Sequence, residues 1–581
     1  MKNNITIILS VLLILSMLLG VTACNKTTSE ITSSDIPSTE SVESNPSTDE
    51  EIPSEESTDI SSEESFASDD EWEDIPDLEE DDEVYSEELV VENAGAPLSE
   101  NFLGINGVHM GFAYMPDEYG RQLTERQAKL EYDRIAYTMG IKQVRTFYTS
   151  AMVWDNKKGE FDFKSADFLG FVRSLKELQN RGIDVAISPH WSLVSFVKEP
   201  TNYNSTSFDS AGLYVKDDLE ATMKKYRKFM SDSILAFEAN GIKNIKYLLA
   251  YTECNNSFLK DENEGLETYF EKRQYDRVCA LYDTAVTTLD TALKDINKRN
   301  NYKIVGPCDN FRMDFDYTDP EQYSTLTKYT LENLSDKVDI IGTHIYSLAP
   351  DFIDDSYYYN PSTTCGKTVE MAKAAGKEIW MDEFNASLSS ALNNDAEQNR
   401  LALKNPSKGV ALAASVNGVM NSGFSNVFLW QLADNQWPNT SVNNEFDNGM
   451  QICGFMPSPL ESVTPYPSWY TCSLLTRYIG QGQTYNTLEG YCVYGSAIKR
   501  NDGHWTVVVT NYNVEDTPIK VNFEKSIGGK TVYRHLYTIS GVTPTPEAKV
   551  IGVSAKANRV TTEICDSLPG YSVAVYTTDP N

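Results

Sequence analysis

Histidine is scarce in this chain: there are five in 581 residues, at 109, 190, 344, 504 and 535. A metal-dependent hydrolase needs clustered His and Asp ligands, and so few imidazoles leave little to build one from. None of the nine cysteines stands in a CxxC pair, which argues against a zinc cluster. The eight beyond Cys24, at 254, 279, 308, 365, 453, 472, 492 and 565, permit disulfides outside the membrane, but their spacing assigns none. Positive charge is short as well, with 49 Lys and Arg against 85 Asp and Glu and a net charge of −36. No basic patch invites nucleic acid. Apolar runs of about 18 residues are missing after the first two dozen positions, so no later segment is suited to span a bilayer.

The first segment does carry such a run. Lys2 supplies a small positive start, residues 5–21 are apolar, and Val21-Thr-Ala-Cys24 closes the stretch. Small residues ahead of a cysteine resemble the lipobox of bacterial lipoproteins. That resemblance implies a signal peptide over residues 1–23, cleavage before Cys24 and a diacylglyceryl thioether on its sulfur. The mature chain would then sit on the extracellular face of the bacterial cell membrane, lipid-anchored. The alternative is an ordinary secretory signal in which Cys24 is incidental.

Residues 25–92 hold 26 acidic side chains and one basic one, Lys26, which is 25 of the 36 net negative charges. Ser, Thr, Pro, Glu and Asp dominate. Such a stretch buries too little surface to offset its ordering entropy, and like charges extend it. Residues 24–95 are therefore expected to be a disordered linker, which would act as a spacer between anchor and catalytic domain.

From about residue 96 the composition becomes that of a globular protein, long enough for a large domain and a smaller one. Strand-like runs at 102–108, 141–147, 183–188, 245–251, 302–306, 338–343, 378–381 and 426–430 alternate with amphipathic stretches such as 124–139, 165–180, 219–239 and 269–296. Gly140, Gly182, Gly241 and Gly376 follow helical patterns, where a left-handed residue would end a helix. Eight β–α alternations predict a (β/α)8 TIM barrel over residues 96–465. After about residue 466 come short strands parted by turns, at 493–499, 505–510, 519–523 and 571–576, which predict a C-terminal all-β sandwich over residues 466–581.

Two glutamates, 130 residues apart, close two of the barrel runs: Glu253 in Tyr251-Thr-Glu253-Cys-Asn255 and Glu383 in Trp380-Met-Asp-Glu383-Phe-Asn385. The C-terminal ends of parallel barrel strands open into the active site. Two carboxylates projecting there from different strands suit retaining glycoside hydrolysis, one as acid/base and one as nucleophile, about 5–5.5 Å apart. Each glutamate alone is equally suited to pairing with a loop cation. Cys254, beside Glu253, reads as strand packing rather than as a nucleophile.

With these residues in place, the chain resembles the clan A glycoside hydrolases over roughly residues 100–580. The layout is similar to the families that include β-xylosidases and glucuronoxylanases. In that clan the acid/base glutamate ends strand four, usually as Asn-Glu-Pro-Asn, and the nucleophile ends strand seven. Here Thr252-Glu253-Cys254-Asn255 and Glu383 take those places, which implies Glu253 as acid/base and Glu383 as nucleophile. The resemblance further implies substrate-binding roles for Arg145 after strand two, His190 and Trp191 after strand three, and Asn255. The same holds for His344 and Tyr346 after strand six and Trp430 after strand eight. Arg145 would favour the anionic form of Glu383, and Tyr346 would donate a hydrogen bond to it. His190 and His344 would bind sugar hydroxyls, and Trp191 and Trp430 would offer flat faces to pyranose rings. Thr252 departs from the clan, whose Asn contacts the sugar 2-OH.

The expected partner is an oligosaccharide or polysaccharide, with the membrane engaged only through Cys24. No cofactor or metal, no nucleic acid and a monomeric chain are expected. Two other readings stand beside this one. The first is a surface carbohydrate-binding lipoprotein without activity, hinted at by Thr252. The second is a metal-dependent barrel hydrolase, which the histidine count disfavours.

Overall fold

The computed structural model describes residues 87–91, 102–107, 113–115, 122–155, 157–188, 218–253, 272–310, 325–346, 364–386, 401–436, 450–451, 453–485, 487–488 and 493–581. The expected signal peptide with Cys24, residues 25–86 of the acidic stretch, and His190, Trp191 and Asn255 lie outside the described residues, as does the side chain of Tyr346. Among the described residues no helix is long and apolar enough to cross a membrane.

Eight parallel strands form a closed barrel. They are β1 (Leu103–Asn106), β2 (Gln143–Phe147), β3 (Asp184–Ser188), β4 (Ile245–Leu249), β5 (Lys303–Val305), β6 (Ile340–Tyr346), β7 (Glu378–Asn385) and β8 (Asn426–Leu429). Each pairs with its sequence neighbour, and β8 pairs with β1. A helix follows every strand: α1 (Glu125–Asp133), α2 (Ala166–Asn180), α3 (Leu219–Ala239), α4 (Lys272–Asp295), α5 (Thr325–Asn333), α6 (Thr364–Ala374), α7 (Ser407–Asn421) and α8 (Pro467–Ile479). This is the TIM barrel that the alternation of periodicities predicts.

Local chemistry accounts for the helix limits. Thr124 and Gln127 form a capping box at the start of α1, and the Ser165 and Asp218 side chains accept from backbone N–H groups at the starts of α2 and α3. Phe168, Phe171, Val172, Leu175 and Leu178 put one face of α2 on the strands. Gly182, Gly241 and Gly376 have φ of 69°, 80° and 69°, as the glycine positions predict, and Gly140 has 68°. Inside the barrel, Trp380 is fully buried between Tyr247, at a centroid distance of 4.6 Å, and Phe428, at 5.5 Å. That apolar cluster fills the barrel below the strand ends that carry the site, and a buried Gln143–Asn426 hydrogen bond lies at the opposite end.

The C-terminal sandwich begins later than its sequence suggests. Residues 467–479, expected to open the all-β region, form α8, whose first residue is proline. This helix closes the barrel against α7 and β1 and also touches the sandwich. Strands β9 (Gly482–Tyr485), β10 (Val493–Arg500), β11 (Trp505–Asn511), β12 (Thr517–Phe523), β13 (Lys530–Thr538), β14 (Ala555–Val560), β15 (Glu563–Leu568) and β16 (Ser572–Thr577) follow. The order β9–β10–β11–β16–β13–β14 makes the larger sheet.

The smaller sheet holds β12, β15 and residues 487–488, together with an N-terminal strand, Glu87–Val91. That strand corrects the upper limit of the linker expected over residues 24–95. It runs parallel to β12, from Glu87 opposite Ile519 to Val91 opposite Phe523. Leu89 and Val91 are buried in the sandwich core, and Glu88 faces outward. Averaged composition hides five residues whose alternation is that of a half-buried strand.

Candidate active site

Every barrel strand delivers a residue to the C-terminal end. Asn106 is the last residue of β1, Arg145 lies in β2 and Ser188 ends β3. Thr252 and Glu253 follow β4, and Cys308 follows β5. His344 lies in β6, Asp382 and Glu383 lie in β7, and Trp430 follows β8.

Glu383 is held from below. Arg145 Nη1 donates to its Oε1 at 2.7 Å and to Asn106 Oδ1 at 2.8 Å. The second guanidinium nitrogen, Nη2, donates to Thr252 Oγ1 at 3.2 Å, and Nε lies 3.5 Å from Asp382 Oδ2. Burial works against the arginine charge, yet Glu383 and Asp382 outweigh it and hold the guanidinium protonated. Asn106 Nδ2 donates to the Asp382 carbonyl at 3.1 Å and so ties β1 to β7. The Ser188 and Thr252 hydroxyls are hydrogen-bonded to each other.

His344 lies between the carboxylates. Its Nδ1 is 3.1 Å from Glu253 Oε1 and 3.4 Å from Glu383 Oε2, and its Nε2 is 2.9 Å from Asp382 Oδ2. The ring is fully buried. Burial alone would suppress its charge, but Glu383 and Asp382, with hydrogen bonds to Asp382 and Glu253, push its pKa up to about 10. The ring is therefore an imidazolium at neutral pH.

Two backbone features set this geometry. Strand β7 carries one extra residue relative to both neighbours: Thr343 and His344 stand opposite Met381 and Glu383, and Val427 and Leu429 opposite Met381 and Phe384. A bulge of this kind re-aims side chains. Here it brings two consecutive carboxylates, Asp382 and Glu383, to one side of a strand where alternation would send them to opposite faces. Glu253 has φ of 51°, a left-handed conformation uncommon for a residue with a Cβ, and its N–H donates to the carbonyl of Cys308, itself at φ 54°, over 2.8 Å. Burial pushes the Cys308 thiol up, so it stays protonated.

The nearest oxygens of Glu253 and Glu383 lie within 4.8 Å of each other and of His344 Nδ1. By spacing these three atoms could cradle a cation. The chemistry opposes it, because the surrounding carboxylates favour a protonated ring, whose Nδ1 has no lone pair for a metal. Asp502, His504 and Asp579 make a second trio in the sandwich, where Arg500 pairs with both carboxylates. The two glutamates differ in access: the Glu253 side chain is 24% exposed and that of Glu383 is 6%.

Arg145 pairs with Glu383, as the sequence reading expects, and Arg145 and His344 are both wholly buried and engaged with protein carboxylates. Trp430 is 5% exposed and packs against Phe147 at 6.0 Å, leaving little of its face open. The Thr252 hydroxyl is buried against Arg145 and Ser188. Sequence reading passed over Asn106 and Ser188, although a polar residue ending an otherwise apolar barrel strand is the signal that marks them. Asp382, next to Glu383, reaches His344 with its side chain.

No family model matches this chain, and no curated protein matches it in sequence. Solved structures do resemble it. A GH30 endoxylanase from Clostridium papyrosolvens aligns with a TM-score of 0.51 at 14% identity, over 84% of this chain and 99% of its own. An endo-β-1,6-glucanase aligns at 0.53 and 15% identity, over 85% and 94%. A GH51 arabinofuranosidase from Xanthomonas axonopodis aligns at 0.51 and 13% identity, over 84% and 99%. At these identities the likeness is one of fold, and it spans barrel and sandwich together.

Proposed function

We propose that this protein is a retaining β-glycosidase, with Glu383 as nucleophile and Glu253 as acid/base. The observation that carries the reading is the carboxylate separation, within 4.8 Å at the nearest oxygens. Retaining enzymes hold their two carboxyls at about 5–5.5 Å, whereas inverting enzymes need about 6.5–9.5 Å to admit a water. The asymmetry of the pair supports the division of roles. Glu383 is buried and ion-paired with Arg145, which suits a fixed anion that attacks. Glu253 is the more open of the two, which suits a group that must exchange protons with solvent. The fold neighbours named xylanase, glucanase and arabinofuranosidase all cleave O-glycosidic bonds, which is consistent with the same class of reaction.

In the first step a Glu383 oxygen bonds to the anomeric carbon while the glycosidic C–O bond breaks and Glu253 gives its proton to the leaving oxygen. In the second, water attacks the same carbon, Glu253 takes the water's proton and Glu383 departs. Two inversions leave the β configuration unchanged.

The test is a pair of alanine variants assayed on aryl β-glycosides. Glu383→Ala removes the attacking group and should form no glycosyl-enzyme with any substrate. Glu253→Ala should still react in the first step with an acidic phenol leaving group and then stall. Added azide should restore turnover and give a β-glycosyl azide. An α-azide from Glu253→Ala, or near-normal activity in Glu383→Ala, would refute the assignment. The reading includes location: Val21-Thr-Ala-Cys24 supports a lipid anchor on the outer face of the membrane, acting on extracellular glycans. Cys24→Ala should release the protein from membranes, and a variant that still sediments with them would remove that part.

A further inference from the structure

His344 meets both candidate catalytic carboxylates with one nitrogen. Nδ1 is 3.1 Å from Glu253 and 3.4 Å from Glu383. The other nitrogen, Nε2, is 2.9 Å from Asp382, a carboxylate that is itself 1% exposed. Resting on the glycosidase reading, we propose that Asp382 is a positioning residue: it accepts a hydrogen bond from Nε2–H, keeps the His344 ring cationic, and orients it so that Nδ1–H is shared between acid/base and nucleophile.

A neutral imidazole has one N–H to give. With that proton on Nε2 for Asp382, a bare Nδ1 lone pair would face two glutamates. With it on Nδ1, a bare Nε2 would face Asp382. A protonated Glu253 could donate to a bare Nδ1, but only the doubly protonated ring gives a donor to both anions, Asp382 through Nε2 and Glu383 through Nδ1. The seat is shaped for it. The extra residue in β7 puts Asp382 beside Glu383, and Gly342 leaves room, since a Cβ there would lie 2.8 Å from Asp382 Oδ1 and 2.9 Å from Cys308 Sγ.

The charges around the ring give the sign of the effect. Arg145 and His344 supply two positive charges, and Asp382 and Glu383 supply two negative ones, so this group is balanced when Glu253 holds its proton. The neighbouring short strand Asp309–Asn310, paired with Thr343 and His344, adds the buried Asp309, and Cys308 remains a thiol. Both are common to the wild type and to an Asp382 variant. Removing the Asp382 charge leaves an excess of positive charge, which a proton lost from Glu253 or His344 relieves. The alkaline limb of kcat/KM, which reports the essential acid, should therefore move to lower pH.

The test uses the full chain and Asp382→Asn, which keeps size and a carbonyl acceptor. With 15N-labelled histidine, the His344 resonances are identified by their loss in His344→Gln. In the wild type both ring nitrogens should stay protonated past the ordinary imidazole range near about 6.5. In Asp382→Asn one should lose its proton at a lower pH than in the wild type. On a nitrophenyl glycoside the alkaline limb should fall by about 1–3 pH units, the effect of one charge at this range. Reduced activity with an unmoved limb would mean a merely structural role and sink the proposal. So would a wild-type ring that titrates like an ordinary imidazole, whether or not the variant folds. A wild type that cleaves no glycoside, yet keeps a cationic His344 dependent on Asp382, would instead refute the glycosidase reading and leave the pairing intact.

Discussion

Arg145 joins four residues of three other strands at one point: Asn106 on β1, Thr252 after β4, and Asp382 and Glu383 on β7. Three nitrogens of a planar fork meet them from fixed directions, which a lysine ammonium cannot reproduce. Arg145→Lys should therefore fold and keep the local charge while losing roughly 10²-fold in kcat, the scale of a small misplacement of reacting groups. A kcat near the wild-type value would show that the fork does not position Glu383. Arg145→Met leaves two buried carboxylates with His344 as the one cation between them and should lose about 3–5 kcal/mol in denaturant unfolding. His344 gives a pH signature of its own. Its folded pKa of about 10 stands above the unfolded 6.5, so its contribution to stability is fully present below 6.5 and disappears as pH rises through about 10. Wild-type Tm should decline across that window more steeply than the Tm of His344→Gln, and parallel curves would contradict the cationic ring.

At the scale of the element, the N-terminal strand Glu87–Val91 shows how a short pattern escapes a compositional reading. It follows a long acidic stretch, yet Leu89 and Val91 are 1% and 0% exposed. Each buried side chain of this kind is worth about 1.5–3 kcal/mol, and the strand also covers the backbone edge of β12. A chain starting at Glu92 should melt below one starting at Tyr85, with activity at low temperature little changed, since the strand belongs to the sandwich. Equal Tm values for the two would mean the strand adds nothing. The β7 bulge is the opposite case. Nothing in Trp380-Met-Asp-Glu383 announces an extra residue, because a bulge is defined by what the neighbouring strands do.

At the scale of the molecule, barrel and sandwich share a wall. Twelve of the fifteen residues of α7 are buried, and the helix lies against α8, β10 and β11. A barrel helix that serves both sides cannot face water on one of them. Gly409 marks the closeness of the fit, since a Cβ there would lie 2.6 Å from Thr471 Oγ1 and 2.7 Å from the Tyr537 ring. A chain ending after Gly480 should therefore bind hydrophobic dyes and aggregate. A soluble, active barrel from that chain would show the sandwich to be dispensable. The eight barrel strands, the helix-ending glycines and both glutamates were legible in the sequence, since hydrophobic period and left-handed glycines are local properties of the chain. The start of the sandwich was not, because α8 is buried nearly all round, Ser468, Thr471, Ser473 and Thr476 included, and so lacks the polar face that marks a surface helix.

The amino-acid sequence by itself determined the order of strands and helices, and with it which residues come to the open end of the barrel. Closure in parallel order carries every strand terminus to one ring, so Glu253 and Glu383 meet although 130 residues separate them. What each residue touches there was decided only by the tertiary structure. Arg145 read from the sequence as a partner of Glu383, but only the folded chain shows that it also meets Asn106, Thr252 and Asp382, and that His344 lies between three carboxylates. Asp382 came to His344 through a bulge, and the Glu253–Glu383 distance followed from strand tilt and register. Side-chain direction at a strand end depends on the register with neighbouring strands, and register is a property of pairs of strands rather than of any one stretch of sequence.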